Sequence, residues 1–160
     1  MGIGKHAERR SKMASVVALC ISEKRGTTKY PVDSVEVKQN WGILGDAHAG
    51  DWHRQVSLLA AESMKSMQKV FPDLSAGSFA ENILTEGIRL SELPIGTEIS
   101  VGRCLLKITQ IGKECHQDCA IRKKVGDCVM PREGVFAIVL KEGIIHIGDE
   151  IHIELLPDPI

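Results

Sequence analysis

The stretches Ile95-Gly-Thr-Glu-Ile-Ser-Val101 and Ile147-Gly-Asp-Glu-Ile-His-Ile153 follow one pattern, a glycine turn and then a strand alternating apolar with polar residues. A period of two puts every second side chain on one face, so each reads as a strand with one buried side. The echo is too short to establish duplication, but it is what repeated barrel hairpins look like. Working outward, residues 97–101, 104–111, 135–140 and 150–155 read as strands. Turns at Gly96, Gly102, Gly134, Gly143 and Gly148 separate them. Residues 15–22 (SVVALCIS) are apolar on both faces, as a buried strand is, and residues 32–38 (VDSVEVK) alternate after Pro31. Helix signals are fewer. Residues 58–70 (LLAAESMKSMQKV) carry good helix formers with apolar positions at Leu59, Met64, Met67 and Val70, and Pro72 ends the run. A shorter helix is expected over residues 120–125. Many strands, few helices and regular glycine turns predict a mainly β fold, a closed or nearly closed β-barrel with small helical insertions.

A chain of 160 residues accommodates one ordinary domain, and no internal linker divides it. Residues 1–13 form a basic arm, expected to be disordered, and residues 14–160 form the domain. The basic start followed by an apolar run resembles a signal peptide, but the run is short and lacks a small-residue cleavage site. Met13 is a second candidate start. Aromatic residues are only 4%, so the core must rest on Val, Ile and Leu. A net charge of -1 removes the general electrostatic argument for nucleic acid or an anionic membrane, and no apolar run reaches the length of a membrane span. Five cysteines, an odd number without regular spacing, argue against a disulfide framework and for a reducing cytoplasm.

Three constellations carry chemistry. The first is Gly42-Ile-Leu-Gly-Asp-Ala-His-Ala-Gly50, running on to Asp51-Trp-His-Arg54. Its glycines imply a backbone that comes close to something, and Asp46, His48, His53 and Arg54 gather on it. This reads either as the rim of an anionic ligand, with Arg54 available for a phosphate, or as a solvated turn with a local Arg–Asp pair. The second is Gly77-Ser-Phe-Ala-Glu-Asn-Ile83, where Glu81 and Asn82 can orient a ligand or cap buried backbone groups. The third holds Cys115, Cys119 and Cys128 within fourteen positions, beside Lys113, His116, Lys123, Lys124 and Arg132. Cations lower a thiol's pKa and make the thiolate, so this trio suits a nucleophile or sulfur acceptor. Cys115-x3-Cys119 also has zinc-ligand spacing, with Cys128 and a histidine to complete four ligands, and three inert surface thiols are the remaining reading. Cys20 and Cys104 fall inside apolar strands and read as core residues.

In this order, GILGDAHAG with HRQVSLL, GSFAENILTEGIRLSEL with PIGTEISVG, ITQIGKECHQDC, VGDCVMPREGVFAIVL and the terminal HIGDEIHI resemble the MOSC family, the molybdenum cofactor sulfurase C-terminal domain. The likeness runs from about Ser15 to the C-terminus and fits its small stand-alone bacterial type. It implies a pyruvate-kinase-barrel-like fold and a cysteine that holds a persulfide or binds molybdenum. Cys115 matches the small members and is the first candidate. Cys119 is the second, weakened because Asp118 precedes it where longer members have arginine. Cys128 is then a resolving thiol or a further metal ligand. The function implied is a sulfur carrier or molybdenum-cofactor-binding protein, with Arg54, His48 and Arg132 neutralising the phosphate of molybdopterin and Asp46, Glu81 and Asn82 completing the binding set. The expected partners are a separate cysteine desulfurase, which would itself carry the pyridoxal phosphate, and a molybdoenzyme or cofactor-biosynthesis protein as acceptor. A cofactor-dependent reductase of N-hydroxylated compounds and a zinc-stabilised, non-catalytic binding module are the alternatives.

Overall fold

A computed structural model describes residues 13–112 and 133–158. Eleven strands run in the order β1 (Ser15–Ile21), β2 (Tyr30–Val32), β3 (Ser34–Lys38), β4 (Gly42–Ile43), β5 (Val56–Ala60), β6 (Ile83–Glu86), β7 (Glu98–Val101), β8 (Cys104–Ile111), β9 (Val135–Lys141), β10 (Gly143–His146) and β11 (Ile151–Leu155) among the described residues. One helix, α1 (Ala61–Gln68), follows β5, and a 3-10 turn covers Leu90–Glu92. The fold is mainly β. Among the described residues no helix is long and apolar enough to cross a membrane.

An eight-stranded sheet has the order β11-β7-β8-β9-β5-β6-β1-β2, and a three-stranded sheet the order β10-β3-β4. The two echoing stretches of sequence lie side by side, with Ile151 opposite Val101 and Ile153 opposite Ile99. Among the described residues only β5 and β6 pair in parallel, which a tight hairpin cannot connect, and α1 lies in the crossover between them. Val35 and Val37 on β3 are buried between exposed neighbours, as the alternation requires. They join Val16, Leu19, Leu58, Ile83, Leu106 and Ile108 in one core between the sheets. The other face of β1 packs Val17 and Ala18 against a second cluster of Leu59, Met64, Phe79 and Phe136 under α1. Both faces of β1 are therefore occupied, and its unbroken apolar run is explained.

Two expectations need correction. Residues 58–60 belong to β5 and not to a helix. Leu58 and Leu59 are fully buried, and β5 lies between β9 and β6, so its backbone bonds are taken by neighbours on both edges. Of the expected closed or nearly closed barrel, full closure is not what the pairing among the described residues gives. The sheet's ends meet at a single antiparallel bridge, Ser15 with Glu150, flanked by bonds from Val16 N–H to Asp149 O (2.9 Å) and Ile151 N–H to Ala14 O (2.8 Å). A strand has only two edges. One edge of β1 is used by β6, and from Leu19 onward β2 takes the other, leaving only the start of β1 for β11. Residues 1–12 of the expected arm and the expected helix at 120–125 lie outside the described residues.

The 75–82 segment is held by close backbone contact. Lys29 N–H donates to Gly77 O (2.9 Å), and Gly77 has φ +90°, with a Cβ placed there only 2.1 Å from Lys29 O. Gly26 also has a left-handed φ but faces open space. Gly77→Ala is therefore expected to cost at least about 2 kcal/mol more than Gly26→Ala, whose penalty is the backbone term of about 1 kcal/mol. Urea unfolding of the two variants checks the difference.

Candidate functional site

The loop between β4 and β5 is organised around Asp46, which is buried. Its Oδ1 accepts from Ser22 N–H (3.0 Å) and Lys29 Nζ (2.8 Å), and its Oδ2 accepts from His48 N–H (3.0 Å). Burial works against the charged carboxylate, but bonds and charge from His48, Lys29 and Ser22 outweigh it and hold Asp46 well below the usual carboxylate range. Burial pushes Lys29 down from the usual lysine value, against the pull of Asp46 and Glu81. The local Arg–Asp pair weighed for this loop is thus replaced by a buried Lys–Asp pair with no side-chain exposure on either partner. Close approach is real at Gly42, where a Cβ would stand 2.8 Å from Gln55 O.

On this base stands a cationic, aromatic rim. Trp52 Nε1 donates to His48 O (2.7 Å), and its ring stacks on that of His48 at 6.5 Å with 3° between planes. The guanidinium carbons of Arg25 and Arg54 each lie 4.6 Å from the Trp52 ring, and Arg25 Nε also donates to Ala47 O (3.2 Å). Arg54 approaches the Phe136 ring at 5.6 Å as well. Its Nε is buried and has no hydrogen-bond partner among the described residues. Each such contact is worth about 0.5–2 kcal/mol, yet it gathers two positive charges around one indole with a donor left over. An anion is the natural complement of that arrangement.

The rim is tied to the end of β8. His53 Nε2 lies 2.7 Å from Gln110 Oε1, Gln110 Nε2 donates to Gly112 O (2.7 Å), and Thr109 Oγ1 donates to His53 O. Since the Gln110 amide nitrogen donates to Gly112, its oxygen faces the imidazole and accepts from it. Gly112 N–H donates to Gly134 O (2.6 Å), closing a neck between β8 and β9. The cysteine-bearing segment leaves and re-enters the sheet at this neck. Cys115, Cys119, Cys128 and Arg132 themselves lie outside the described residues. Among the described residues no group of three His, Cys, Asp or Glu side chains is placed to hold a metal.

A cavity of about 540 Å³ lies on the α1 side of the neck, lined among others by Glu62, Ser63, Arg89, Glu92 and Glu133. Its size would suit a small ligand. Its charge would not suit an anion: carboxylates predominate, and Arg89 stands 3.4 Å from Glu92.

Glu81 and Asn82 are fully buried and brace backbone. Glu81 accepts from Gly77 N–H (2.5 Å) and Phe79 N–H (3.1 Å). Asn82 Oδ1 accepts from Ser57 N–H (2.9 Å), and its Nδ2 donates to Cys20 O (3.1 Å). Of the two uses weighed for this pair, capping buried groups is the one the geometry displays. Cys20 and Cys104 are buried free thiols. Burial, with Glu81 close by, pushes Cys20 up to about 12, and burial raises Cys104 as well. Sequence reasoning missed Arg25, Lys29 and Trp52 as contributors. Nothing in the local pattern of Gly26-Thr-Thr-Lys-Tyr-Pro31 marks Lys29 as buried.

The fold and site define a small β domain with a cationic rim beside a neck that launches a cysteine-rich segment. The chain belongs to the MOSC domain family, whose model matches residues 45–152. That family is associated in general with sulfur and cofactor binding in molybdenum-cofactor chemistry. Similar solved structures include the YuaD protein of Bacillus subtilis, with a TM-score of 0.71 and 19% identity over 87% of this chain and 94% of that one. YiiM of Geobacillus stearothermophilus aligns with a TM-score of 0.69 and 19% identity over 89% and 75% of the two chains. YiiM of Escherichia coli gives 0.66 and 16% over 91% and 72%. At these identities the likeness is one of fold. No curated protein matches the sequence.

Burial pushes Glu81 from 4.5 up to about 7, against its bonds from Gly77 and Phe79. The folded protein thus holds this proton more tightly than the unfolded chain. The associated stability is fully present below about pH 4.5 and is lost as pH rises through about 7, on the order of 3 kcal/mol. Asp46 acts oppositely, its contribution being present above the ordinary carboxylate range and lost in acid. Glu81→Gln should therefore flatten the fall in urea midpoint between about pH 5 and 8 while leaving the acid limb governed by Asp46.

Proposed function

We propose that this protein is a sulfur carrier or cofactor-binding protein of molybdenum-cofactor metabolism, working through a cysteine of the segment launched at the neck, Cys115 first and Cys119 second. The carrying observation is the Arg25–Trp52–Arg54 rim, whose buried Arg54 Nε–H has no partner among the described residues and which His53 and Gln110 fasten to the end of β8. The residues fit a phosphate-bearing group. Arg54 and Arg25 would hold the phosphate of molybdopterin, with Arg132 adding to them, and His48 would border it. Asp46, Glu81 and Asn82 would act through the backbone they brace. When bound, the cofactor would supply the molybdenum to which sulfur is delivered or bound. We also read the sheet as an incompletely closed barrel, on the strength of the bridge between Ser15 and Glu150.

The sulfur would come from a separate cysteine desulfurase. The Cys115 thiolate attacks the terminal sulfur of the donor's persulfide. A new S–S bond forms on Cys115, the donor's S–S bond breaks, and the donor leaves as thiolate with no net oxidation. A molybdoenzyme or a cofactor-biosynthesis protein would be the acceptor. The free thiols of Cys20 and Cys104 suit a reducing cytoplasm.

Incubation with a cysteine desulfurase, pyridoxal phosphate and labelled cysteine should give a reductant-labile adduct of one sulfur by intact mass. Cys115→Ser should abolish it and Cys20→Ser should not. Survival in Cys115→Ser with loss in Cys119→Ser would move the site and keep the function. No adduct on any cysteine, together with stoichiometric zinc, would end the carrier reading.

Arg54→Ala should weaken pyrophosphate binding about tenfold or more in calorimetry, consistent with loss of a charge-assisted contact, while costing less than about 2 kcal/mol of stability. Unchanged binding would make the rim structural.

A further inference from the structure

The outer face of the three-stranded sheet carries apolar side chains where water is the expected neighbour. Val35 and Val37 point into the core, so Ser34, Glu36 and Lys38 of β3 point out. An antiparallel sheet packed on one side ordinarily shows polar residues on the other. Here Ile144 of β10 stands directly opposite Glu36. Leu44, whose N–H donates to Glu36 O (2.9 Å), stands opposite it on the other side. Ile144 is 51% exposed, Leu44 42%, and Trp41, at the tip of the β3–β4 hairpin, 44%. Cross-strand neighbours on one face lie about 4.5–5.5 Å apart, so Ile144, Glu36 and Leu44 form one continuous row. Lys38 belongs to the next row, opposite Gly42. With Gln39, Asn40, Trp41 and Leu44 it lines an open notch of about 410 Å³.

The backbone around the notch is pinned from several sides. Asn40 N–H donates to Val139 O (3.0 Å), Trp41 N–H to Lys38 O (3.1 Å), and Gly50 N–H to Trp41 O (2.8 Å). Gln39 N–H donates to the Glu142 carboxylate (3.2 Å). A surface fixed before contact loses little freedom on binding. Its charges complement themselves. Glu36 and Lys38 are opposite in sign and two residues apart on one strand, about 7 Å. A two-fold axis crossing β3 at Val37 brings Glu36 of each copy over Lys38 of the other. The same axis brings Leu44 of each copy over the other's notch, beside Trp41. A two-fold running along β3 would instead set Glu36 on Glu36 and Lys38 on Lys38, and like charges oppose it. A net charge of -1 adds little long-range repulsion between copies.

We propose that the outer face of the β10-β3-β4 sheet is the interface of a two-fold symmetric homodimer, its occupant a second copy of this chain. The contact is isologous: Leu44 enters the notch beside Trp41, and two Glu36–Lys38 pairs form across the axis. Ile144 is covered at the flank of the same row. Three apolar side chains are few against the roughly 20–30 residues a side of a standard interface, so association is reversible and concentration-dependent. The bond from Gly50 N–H to Trp41 O ties the hairpin tip to the loop that carries His48, Trp52 and Arg54. The interface therefore borders the rim and uses none of its side chains. It goes beyond the sulfur and cofactor reading and stands or falls without it.

The test is analytical ultracentrifugation of the full chain from about 1 μM to about 1 mM. The mass should rise from monomer to dimer across that range, and a monomer throughout would overturn the proposal. Leu44→Glu should weaken association about tenfold or more. Val70→Glu adds the same charge at a residue 70% exposed beyond α1 and should leave association unchanged. A dimer indifferent to Leu44→Glu, or equally weakened by Val70→Glu, would also overturn it. Glu36→Lys and Lys38→Glu should each weaken the dimer about tenfold, because each sets like charges against one another. The double exchange keeps both side chains and the net charge, and should recover wild-type affinity within about threefold. A double exchange no tighter than either single variant would remove the two-fold pairing and the proposal with it. Should a single variant not fold, the wild-type masses and the double exchange decide the matter.

Discussion

The contact between Lys29 and Asp46 organises everything around it, and its energetics explain why. Taking both charges out of water costs several kcal/mol each, which their mutual attraction offsets only if the remaining donors and acceptors are also satisfied. Here they are. The ammonium meets Asp46, Ser22 and His48, and the carboxylate meets Lys29, Ser22 N–H and His48 N–H. An exposed pair would contribute about 0–1 kcal/mol and would tolerate loss, whereas breaking a buried one strands a charge at about 3–5 kcal/mol. The pair therefore acts as a clamp. It joins the residue after β1, the residue before β2 and the loop before β5, three places with no strand pairing of their own.

The rim inherits its rigidity from that clamp. His48 is held at its backbone by Asp46 and at its ring by Lys29, and Trp52 is held through its indole N–H to His48 O. With the indole fixed, the guanidiniums of Arg25 and Arg54 have a surface to lie on, and among the described residues neither pairs with a carboxylate. A salt-bridged arginine would have spent its charge inside the protein. One stabilised by an aromatic face keeps it available to a ligand.

The strands were legible where one face is wet. Residues 34–38 alternate, and Val35 and Val37 are indeed inside. Legibility failed at β5, where Val56 to Leu59 are all buried and the run Leu58-Leu-Ala-Ala61 leads straight into good helix formers. A continuous apolar run does not distinguish strand from helix, and its two hydrogen-bonding neighbours are distant in sequence. How far the expected barrel closes was not legible for a related reason: whether β1 can pair with β11 depends on β2 competing for the same edge, a choice invisible in any local window. In the β4–β5 loop, Asp46, His48 and Arg54 were singled out because the glycine-rich stretch concentrates polar groups. Lys29 was not, because an isolated lysine in a turn reads as exposed unless its partner is known.

Burial also sorts the cysteines. Cys20 and Cys104 are each only 1% exposed. Glu81 adds to the burial that pushes Cys20 up to about 12, so the thiol stays protonated near neutral pH. Burial first, and Glu81 after it, thus disarm Cys20 against the opposing pull of Lys29. Glu81 is anchored by Gly77 and Phe79 and lies within reach of Cys20, and Lys29, the nearest cation, has its three donors committed elsewhere. A carrier that exchanges sulfur with other proteins needs its thiolate where a partner can approach, and a core thiol fails on both ionisation and access. The two described core thiols are therefore unsuited to exchange sulfur, and the proposed carrier role turns on Cys115, Cys119 and Cys128, which lie in sequence between Gly112 and Gly134.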